Sequence, residues 1–198
     1  MRCKPIFSLL LIVFLVFSSM AYAEESSDGH WLIANLSGEE ADYQQVAEII
    51  CPEGFTPVEG ISANGEGPEP ELYFAPEDPE SPVRFFYYTT GYGDCRSLAE
   101  TALESYAYFY DDFIPSEIEE TTVGDLACLR FSYTAAYPGE DESVLAYEQS
   151  AVCYFPIQEN CFAACIVSLS FDSSEAFLDA QALQSLVDQA CAALRWNL

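Results

Sequence analysis

Basic residues are nearly absent from this chain. Six Lys and Arg stand against 33 Asp and Glu, which gives a formal net charge of −27 at pH 7. Nucleic-acid binding depends on neutralising phosphates with Lys and Arg, and adsorption to anionic lipid depends on the same side chains. The composition therefore argues against nucleic-acid and anionic-lipid partners.

The usual catalytic residues are scarce as well. His30 is the single histidine, and no lysine follows Lys4. Histidine is the common general base for Ser or Cys nucleophiles, and Schiff-base chemistry needs a lysine. No HExxH, phosphate-binding loop or dinucleotide fingerprint occurs. We interpret His30 as an exposed residue near the amino terminus, and we expect no catalytic residue, no cofactor and no metal centre.

Only one long hydrophobic run is present, and it lies at the start. Met1–Ala23 carries Arg2 and Lys4, then the apolar run Pro5–Phe17, then a small-x-small site ending at Ala23. This pattern is typical of a secretory signal peptide cleaved after Ala23. The run is shorter than the roughly 17–25 residues that cross a bilayer. We predict a secreted or periplasmic protein that is not stably inserted in a membrane once the signal is removed.

Loss of the signal leaves a more acidic chain with an odd number of cysteines. Removing Arg2 and Lys4 changes the formal charge to about −29. An oxidising compartment favours disulfides, so most of the remaining cysteines are disulfide candidates and one is left over. The candidates are Cys51, Cys95, Cys128, Cys153, Cys161, Cys165 and Cys191.

Three consecutive segments alternate as strands do: Leu126–Thr134, Val144–Phe155 and Cys161–Phe171. In the third, the odd positions are all apolar, as expected for one buried face of a sheet. In the second, the odd positions are apolar except Gln149. The pattern predicts a three-stranded antiparallel core for the domain.

The turn between the last two of these strands sets a testable register. A hairpin that keeps both odd faces on one side and turns at Glu159 places Cys153 opposite Cys165. Directly opposed residues can be close enough for a disulfide. Cys153–Cys165 is therefore the best single bridge, although a two-residue slip opposes Cys165 with Ala151 or Phe155 instead.

The remaining elements predict an α+β fold. Three helices are expected: one over Ala41–Ile50 behind the capping box Ser37–Glu40, one from the capping box Ser97–Glu100 towards Phe113, and one capped by Asp172. Further strands are expected at His30–Leu36, Phe55–Ile61, Leu72–Ala75, Val83–Thr90 and Glu117–Val123. We predict a single domain over 24–198, with an antiparallel sheet of about six or seven strands flanked by helices. Residues 24–51 form an extension with a short helix.

The element order resembles the PsbP-like superfamily. The resemblance runs from Pro52–Phe55 through the Ser97 helix and the Thr122–Ala127 segment, TVGDLA, to the final helix. The superfamily includes an extrinsic photosystem II subunit, a Ran-binding transport factor and small exported bacterial proteins. The resemblance implies a sheet-and-helix adaptor, and it carries over no functional residue.

Several chemical roles remain open beside an adaptor role. Carboxylates can act as an acid–base pair on glycans, although no two of the acidic residues are singled out by the sequence. Asp111-Asp112 and Glu140–Glu142 offer oxygen ligands for Ca²⁺ outside any EF-hand pattern. Cys161 and Cys165 are one residue too far apart for a redox Cys-x-x-Cys motif and lie in a strand.

We predict an exported, non-enzymatic, disulfide-stapled acidic domain that binds or scaffolds an extracytoplasmic protein or a small ligand. An exported carboxylate-dependent hydrolase is the alternative, and a thiol redox protein is a third class.

Overall fold

A computed structural model describes residues 25–26, 29–36, 43–58, 72–90, 94–123, 126–138, 145–159 and 161–197. The predicted cleavage site at Ala23, the Ser37–Glu40 box and the Glu140–Glu142 cluster lie outside these residues. Within them, no helix is long and apolar enough to cross a membrane.

Twelve strands and two α-helices are present in the described residues. The helices are α1 (Cys95–Phe109) and α2 (Ala180–Ala192). The strands are β1 (Glu25–Ser26), β2 (Gly29–Asn35), β3 (Tyr43–Ile49), β4 (Phe55–Val58), β5 (Leu72–Pro76), β6 (Val83–Thr90), β7 (Ile114–Pro115), β8 (Glu119–Val123), β9 (Leu126–Pro138), β10 (Leu145–Gln158), β11 (Cys161–Phe171) and β12 (Leu194–Trp196).

The prediction of an α+β fold with six or seven strands was wrong. The described chain is mostly β: an eight-stranded antiparallel sheet carries the strand order β4-β5-β6-β11-β10-β9-β7, with β8 also paired to β9. A second sheet has the order β1-β2-β3-β12. The helices contribute only 15 and 13 residues. The second sheet was missed because two of its strands were read as helix or as helix end.

The predicted helix over Ala41–Ile50 is strand β3 in the described residues. Leu32 pairs with Ala47 and Ile33 pairs with Gln45, so Val46 is an extra, unpaired residue on β3. A bulge of this kind interrupts the two-residue period of a strand. Val46 and Ala47 are therefore both buried although they are adjacent, and this spacing imitated a helix.

The central hairpin confirms the predicted register. Cys153 pairs with Cys165 and Ala151 with Val167, and the pairing shifts only at Pro156–Gln158 beside the turn. The predicted bounds Cys161–Phe171 and Val83–Thr90 coincide with β11 and β6. The apolar alternation, together with a turn at Glu159, thus predicted the alignment of this hairpin, while β9 and β10 extend beyond their predicted ends to Pro138 and Gln158.

Both α-helices begin at a different cap from the predicted one. Asp94, not Ser97, caps α1: its carboxylate accepts hydrogen bonds from the Ser97 backbone N–H at 2.9 Å and the Ser97 hydroxyl at 2.7 Å. Asp179, not Asp172, caps α2 by accepting from the Ala182 N–H at 2.9 Å. Aspartate is a preferred residue at this position because it satisfies a free backbone donor.

The large sheet is buried on both faces. We call the side covered by β2, β3 and α2 the cysteine face, because Cys128, Cys153, Cys161, Cys165 and Cys191 belong to its core. We call the other side, under α1, the tyrosine face. Its core contains Tyr88, Tyr106, Tyr110, Tyr133 and Tyr154.

Both outer edges of the large sheet carry a proline. Pro57 lies in β4 opposite Phe74, and Pro115 lies in β7 opposite Tyr133. Proline has no backbone N–H to donate to a further strand, so it is confined to such edge positions.

Candidate functional site

Glu148 is a fully buried acid on the tyrosine face. Its side chain is 2% exposed and accepts hydrogen bonds from four hydroxyls. Tyr110 donates to Oε2 at 2.6 Å, while Tyr133 and Ser150 each donate to Oε1 at 2.7 Å. Ser168 donates to Oε1 at 3.3 Å. A buried carboxylate is tolerated when its oxygens are satisfied in this way.

The strand pattern brings these hydroxyls together. Glu148 and Ser150 are two apart on β10, so they project to the same side of the sheet. Ser168 is the cross-strand partner of Ser150 on β11, and Tyr133 is its partner on β9. Tyr110 follows the end of α1 and completes the cluster from above the sheet.

The two tyrosines stay protonated at neutral pH. Burial and the adjacent Glu148 carboxylate raise the pKa of Tyr133 well above its ordinary value. The same two causes raise the pKa of Tyr110. Both phenols are therefore permanent hydrogen-bond donors to Glu148 under ordinary conditions.

Glu148 lacks what an acid–base pair requires. In the described part of the chain it is the only buried acid, and its hydroxyl partners are themselves buried. Two-carboxylate hydrolysis needs a second carboxyl group several ångströms away, with substrate between the two. The geometry is that of a structural anchor, and it does not support the hydrolase alternative.

Tyr110 connects this anchor to the surface. It is 5% exposed, whereas Tyr108 two residues earlier is 82% exposed and Ile114 four residues later is 67% exposed. Asp111 and Asp112, between them, are exposed too. We call Tyr108, Asp111, Asp112 and Ile114 the acidic corner. Tyr108 and Ile114 flank the two aspartates in the sequence, and exposed apolar surface rimmed by polar residues marks interaction sites.

The backbone of the acidic corner is held in place. The Asp111 N–H donates to the Ala136 carbonyl at 3.1 Å, and the Tyr110 N–H donates to the Tyr106 carbonyl at 3.0 Å. Below, the Phe113 ring stacks on Tyr110, with centroids 6.3 Å apart and planes 10° apart. The corner therefore presents its side chains from an ordered base, which reduces the entropy lost on binding.

Negative charge on the described surface is largely uncompensated. Every acidic side chain whose exposure is described is exposed, except the half-buried Glu48 and the buried Glu148. Within the described residues the two ion pairs are Arg96–Glu120 at 3.0 Å and Arg130–Glu119 at 3.1 Å. Arg84 donates instead to the Ser81 and Val83 carbonyls at 2.8 and 2.7 Å. Asp111 and Asp112 are in neither ion pair.

The predicted cysteine sites divide into a cluster and outliers. All seven are thiols in the structure. Cys128, Cys153, Cys165 and Cys191 lie together in the core of the cysteine face. The outliers contact backbone carbonyls: Cys51 lies 3.0 Å from the Phe55 oxygen, and Cys95 lies 3.8 Å from the Tyr154 oxygen.

The pair Cys161 and Cys165 does not have the setting of a redox site. Both side chains are buried, at 3% and 1% exposure. Burial raises the pKa of Cys161 to about 11, so its reactive thiolate is scarce at neutral pH. Redox thiols need the opposite: access and a lowered pKa. Among the described residues, no group of three or more His, Cys, Asp or Glu is arranged to hold a metal ion.

Sequence reasoning missed Glu148 and left Gln149 unexplained. Gln149 interrupts the apolar side of β10 because its amide binds the segment before α2. It donates to the Leu178 carbonyl at 3.0 Å and accepts from the Leu178 N–H at 2.8 Å. The available signal was the pair Glu148-Gln149 inside an otherwise apolar strand, since buried polar side chains need specific partners.

Comparison with known proteins assigns no family. No protein-family model and no curated protein matches the chain. A structural similarity is found with LpqN of Mycobacterium tuberculosis, a protein described as involved in cell envelope biogenesis. It is 14% identical with a TM-score of 0.43, over 73% of this chain and 79% of that one. A likeness this distant carries no argument about function.

Proposed function

We propose that this protein is an exported, non-enzymatic acidic domain that binds a basic segment of an extracytoplasmic polypeptide at the acidic corner. The observation that carries the proposal is the exposure of Tyr108 and Ile114 on either side of Asp111 and Asp112, on an ordered base. The amino-terminal signal pattern supports export.

Charge complementarity selects the class of partner. Asp111 and Asp112 favour Lys or Arg, and a cation over the exposed Tyr108 ring gains a cation–π interaction of about 0.5–1 kcal/mol. Ile114 adds an apolar contact for the stem of such a side chain. A high negative charge also accelerates the association of cationic partners.

The resemblance to the PsbP-like superfamily stays a proposal. It implies an adaptor role, which is the same kind of role. The sealed environment of Glu148 and the buried Cys161 and Cys165 favour this binding role over the hydrolase and redox alternatives.

The binding test uses a fluorescent deca-lysine peptide and the mature chain from Glu24. Asp111→Asn/Asp112→Asn should weaken binding about tenfold, because two charge contacts of somewhat under 1 kcal/mol each are lost. The matched control is Glu159→Gln/Glu175→Gln, which removes the same charge from exposed positions elsewhere.

The control separates a site from general attraction. If both double variants weaken binding equally, overall charge attracts the peptide and the acidic corner is not the site. A deca-glutamate peptide should not bind. Export is tested separately by the amino-terminal sequence of the protein recovered outside the cytoplasm, which should begin at Glu24.

A further inference from the structure

Four aligned residues cross the cysteine face of the large sheet. Arg130 pairs with Cys153, Cys153 pairs with Cys165, and Cys165 pairs with Tyr87. Partners in adjacent strands share a face, so the four side chains form one row from β9 to β6.

Helix α2 lies along this row and is fixed at both ends. Gln184 near its start accepts a hydrogen bond from Arg130, the first residue of the row. The Ala190 carbonyl near its end accepts from the Tyr87 hydroxyl at 2.8 Å, at the last residue of the row. Both contacts are buried or partly buried. The middle of the row, Cys153 and Cys165, therefore lies beneath the helix.

Cys191 follows Ala190 and reaches both cysteines of the row. All three side chains are buried in one core cluster, and the thiols of Cys153 and Cys165 lie near enough to that of Cys191 to influence its pKa. Cys153 in turn neighbours Cys128, which lies on the same face of β9, two residues from Arg130, the cross-strand partner of Cys153. The four thiols thus form a chain in the order Cys128, Cys153, Cys191, Cys165, which the strand register alone does not reveal.

We infer that the core disulfide of the exported protein joins Cys165 on β11 to Cys191 on α2, in place of the cross-strand bridge between Cys153 and Cys165. The inference rests on the proposed export, which supplies the oxidising compartment. Pairing Cys165 with Cys191 leaves Cys128 and Cys153 as contacting partners. Pairing Cys153 with Cys165 instead separates Cys128 from Cys191, and each loses its thiol neighbour.

Loop length favours the same pairing. A bridge between Cys165 and Cys191 closes a longer loop than one between Cys153 and Cys165, and longer loops restrict the unfolded chain more.

When the disulfide forms, each thiol loses a proton and the pair loses two electrons as the S–S bond is made. A small-molecule or protein disulfide accepts the electrons and becomes two thiols. Because the thiols are buried in the fold, the exchange takes place while the chain folds.

The test is oxidative refolding of the purified mature chain with glutathione disulfide, then alkylation in denaturant without reductant and peptide mapping. The expected product contains a peptide that links Cys165 to Cys191. A peptide linking Cys153 to Cys165, or three alkylated thiols at these positions, overturns the inference.

Paired variants keep the test decisive if one of them folds poorly. Cys153→Ser should retain the Cys165–Cys191 link, and Cys191→Ser should lose it. Cys161→Ser, at a buried position outside the thiol chain, is the matched control and should map like the natural chain.

The experiment also separates this inference from the proposed function. Oxidative refolding tests whether Cys165 pairs with Cys191, and its result does not depend on the compartment in which the cellular protein resides. A bridge that forms on refolding but is absent from the cellular protein contradicts the proposed export. Absence of the bridge after refolding contradicts only the disulfide.

Discussion

The two faces of the large sheet are built from the same strands but with different chemistry. On β10, Ala151, Cys153 and Phe155 point to the cysteine face, while Val152 and Tyr154 point to the tyrosine face. The cysteine face is mainly apolar and holds a cluster of buried thiols. The tyrosine face holds Glu148 with its four hydroxyl donors. Alternation along a strand lets one sequence encode both cores.

The comparison shows where each kind of core is vulnerable. An apolar core loses stability in proportion to the volume removed. A polar core fails when one member leaves its partners without hydrogen bonds, because buried polar groups must be satisfied. We expect the tyrosine face to respond most to a change of charge and the cysteine face most to a change of redox state.

The largest effect is expected at the centre of the tyrosine face. Glu148→Ala leaves four buried hydroxyls without their acceptor and should lower the free energy of unfolding by roughly 3 kcal/mol or more. Equilibrium urea unfolding measures this. Val152→Ala, on the same face and strand, removes only apolar atoms and should cost about 2 kcal/mol. An equal or larger cost at Val152 would show that the hydrogen bonds to Glu148 contribute little.

The redox state of the cysteine face should have the next largest effect. The refolded, oxidised protein should be about 3 kcal/mol more stable than the reduced one, since the bridge restricts the unfolded chain. Urea unfolding with and without reductant measures the difference. Cys191→Ser should abolish it, while Cys153→Ser should not. A difference that survives Cys191→Ser points to another pair of cysteines.

The two faces should differ in the alkaline pH at which the free energy of unfolding begins to fall. The buried tyrosines have pKa values raised above their ordinary value of 10.0. They stay protonated when folded, so the unfolded chain binds fewer protons above that pH and stability falls as pH rises. The expected slope is about 1.4 kcal/mol per pH unit per tyrosine. Tyr133→Phe should reduce the slope by that amount in urea unfolding at a series of pH values.

When the cysteines are reduced, the free energy of unfolding should begin to fall one pH unit below the onset expected for the tyrosines. The hydrogen bond with Cys153, together with burial, raises the pKa of Cys128 above its ordinary value of 9.0. A reduced protein should therefore lose stability from pH 9 upwards. A protein with Cys165 and Cys191 bridged has two fewer thiols to ionise in the unfolded state and should show a smaller decline. Identical pH profiles for both forms would contradict the bridge.

The smallest effect on stability is expected at the acidic corner. Asp111→Asn/Asp112→Asn changes only exposed side chains, so the free energy of unfolding should move by less than about 0.5 kcal/mol. The double variant should instead weaken binding of the basic peptide. A loss of stability comparable to that of Glu148→Ala would mean that the corner has a structural role.

Long alternating segments were predictable, and short or bulged ones were not. The bounds of β11 follow from period two, and the pairing of Cys153 with Cys165 follows from that period together with a turn at Glu159. β3 was misread because the bulge at Val46 places two buried residues side by side. β12 was read as the end of a helix because Leu194 continues the apolar stripe of α2, although it pairs with Ile49.

The candidate sites were predictable only as residue types. The abundance of acidic residues was evident, but their sequence does not show that Tyr108 and Ile114 stay exposed. The position of Cys191 above Cys153 and Cys165 depends on the contacts of α2 with Arg130 and Tyr87. These contacts join segments far apart in sequence, and no local pattern encodes them.

The prolines at the two edges of the large sheet have a consequence for a chain this rich in strand. A sheet edge that offers free backbone donors invites another molecule to add a strand, and repeated addition leads to fibrils. Pro57 and Pro115 each remove one such donor at opposite ends of the sheet. Along with mutual repulsion between highly acidic molecules, they disfavour polymerisation through these two edge strands.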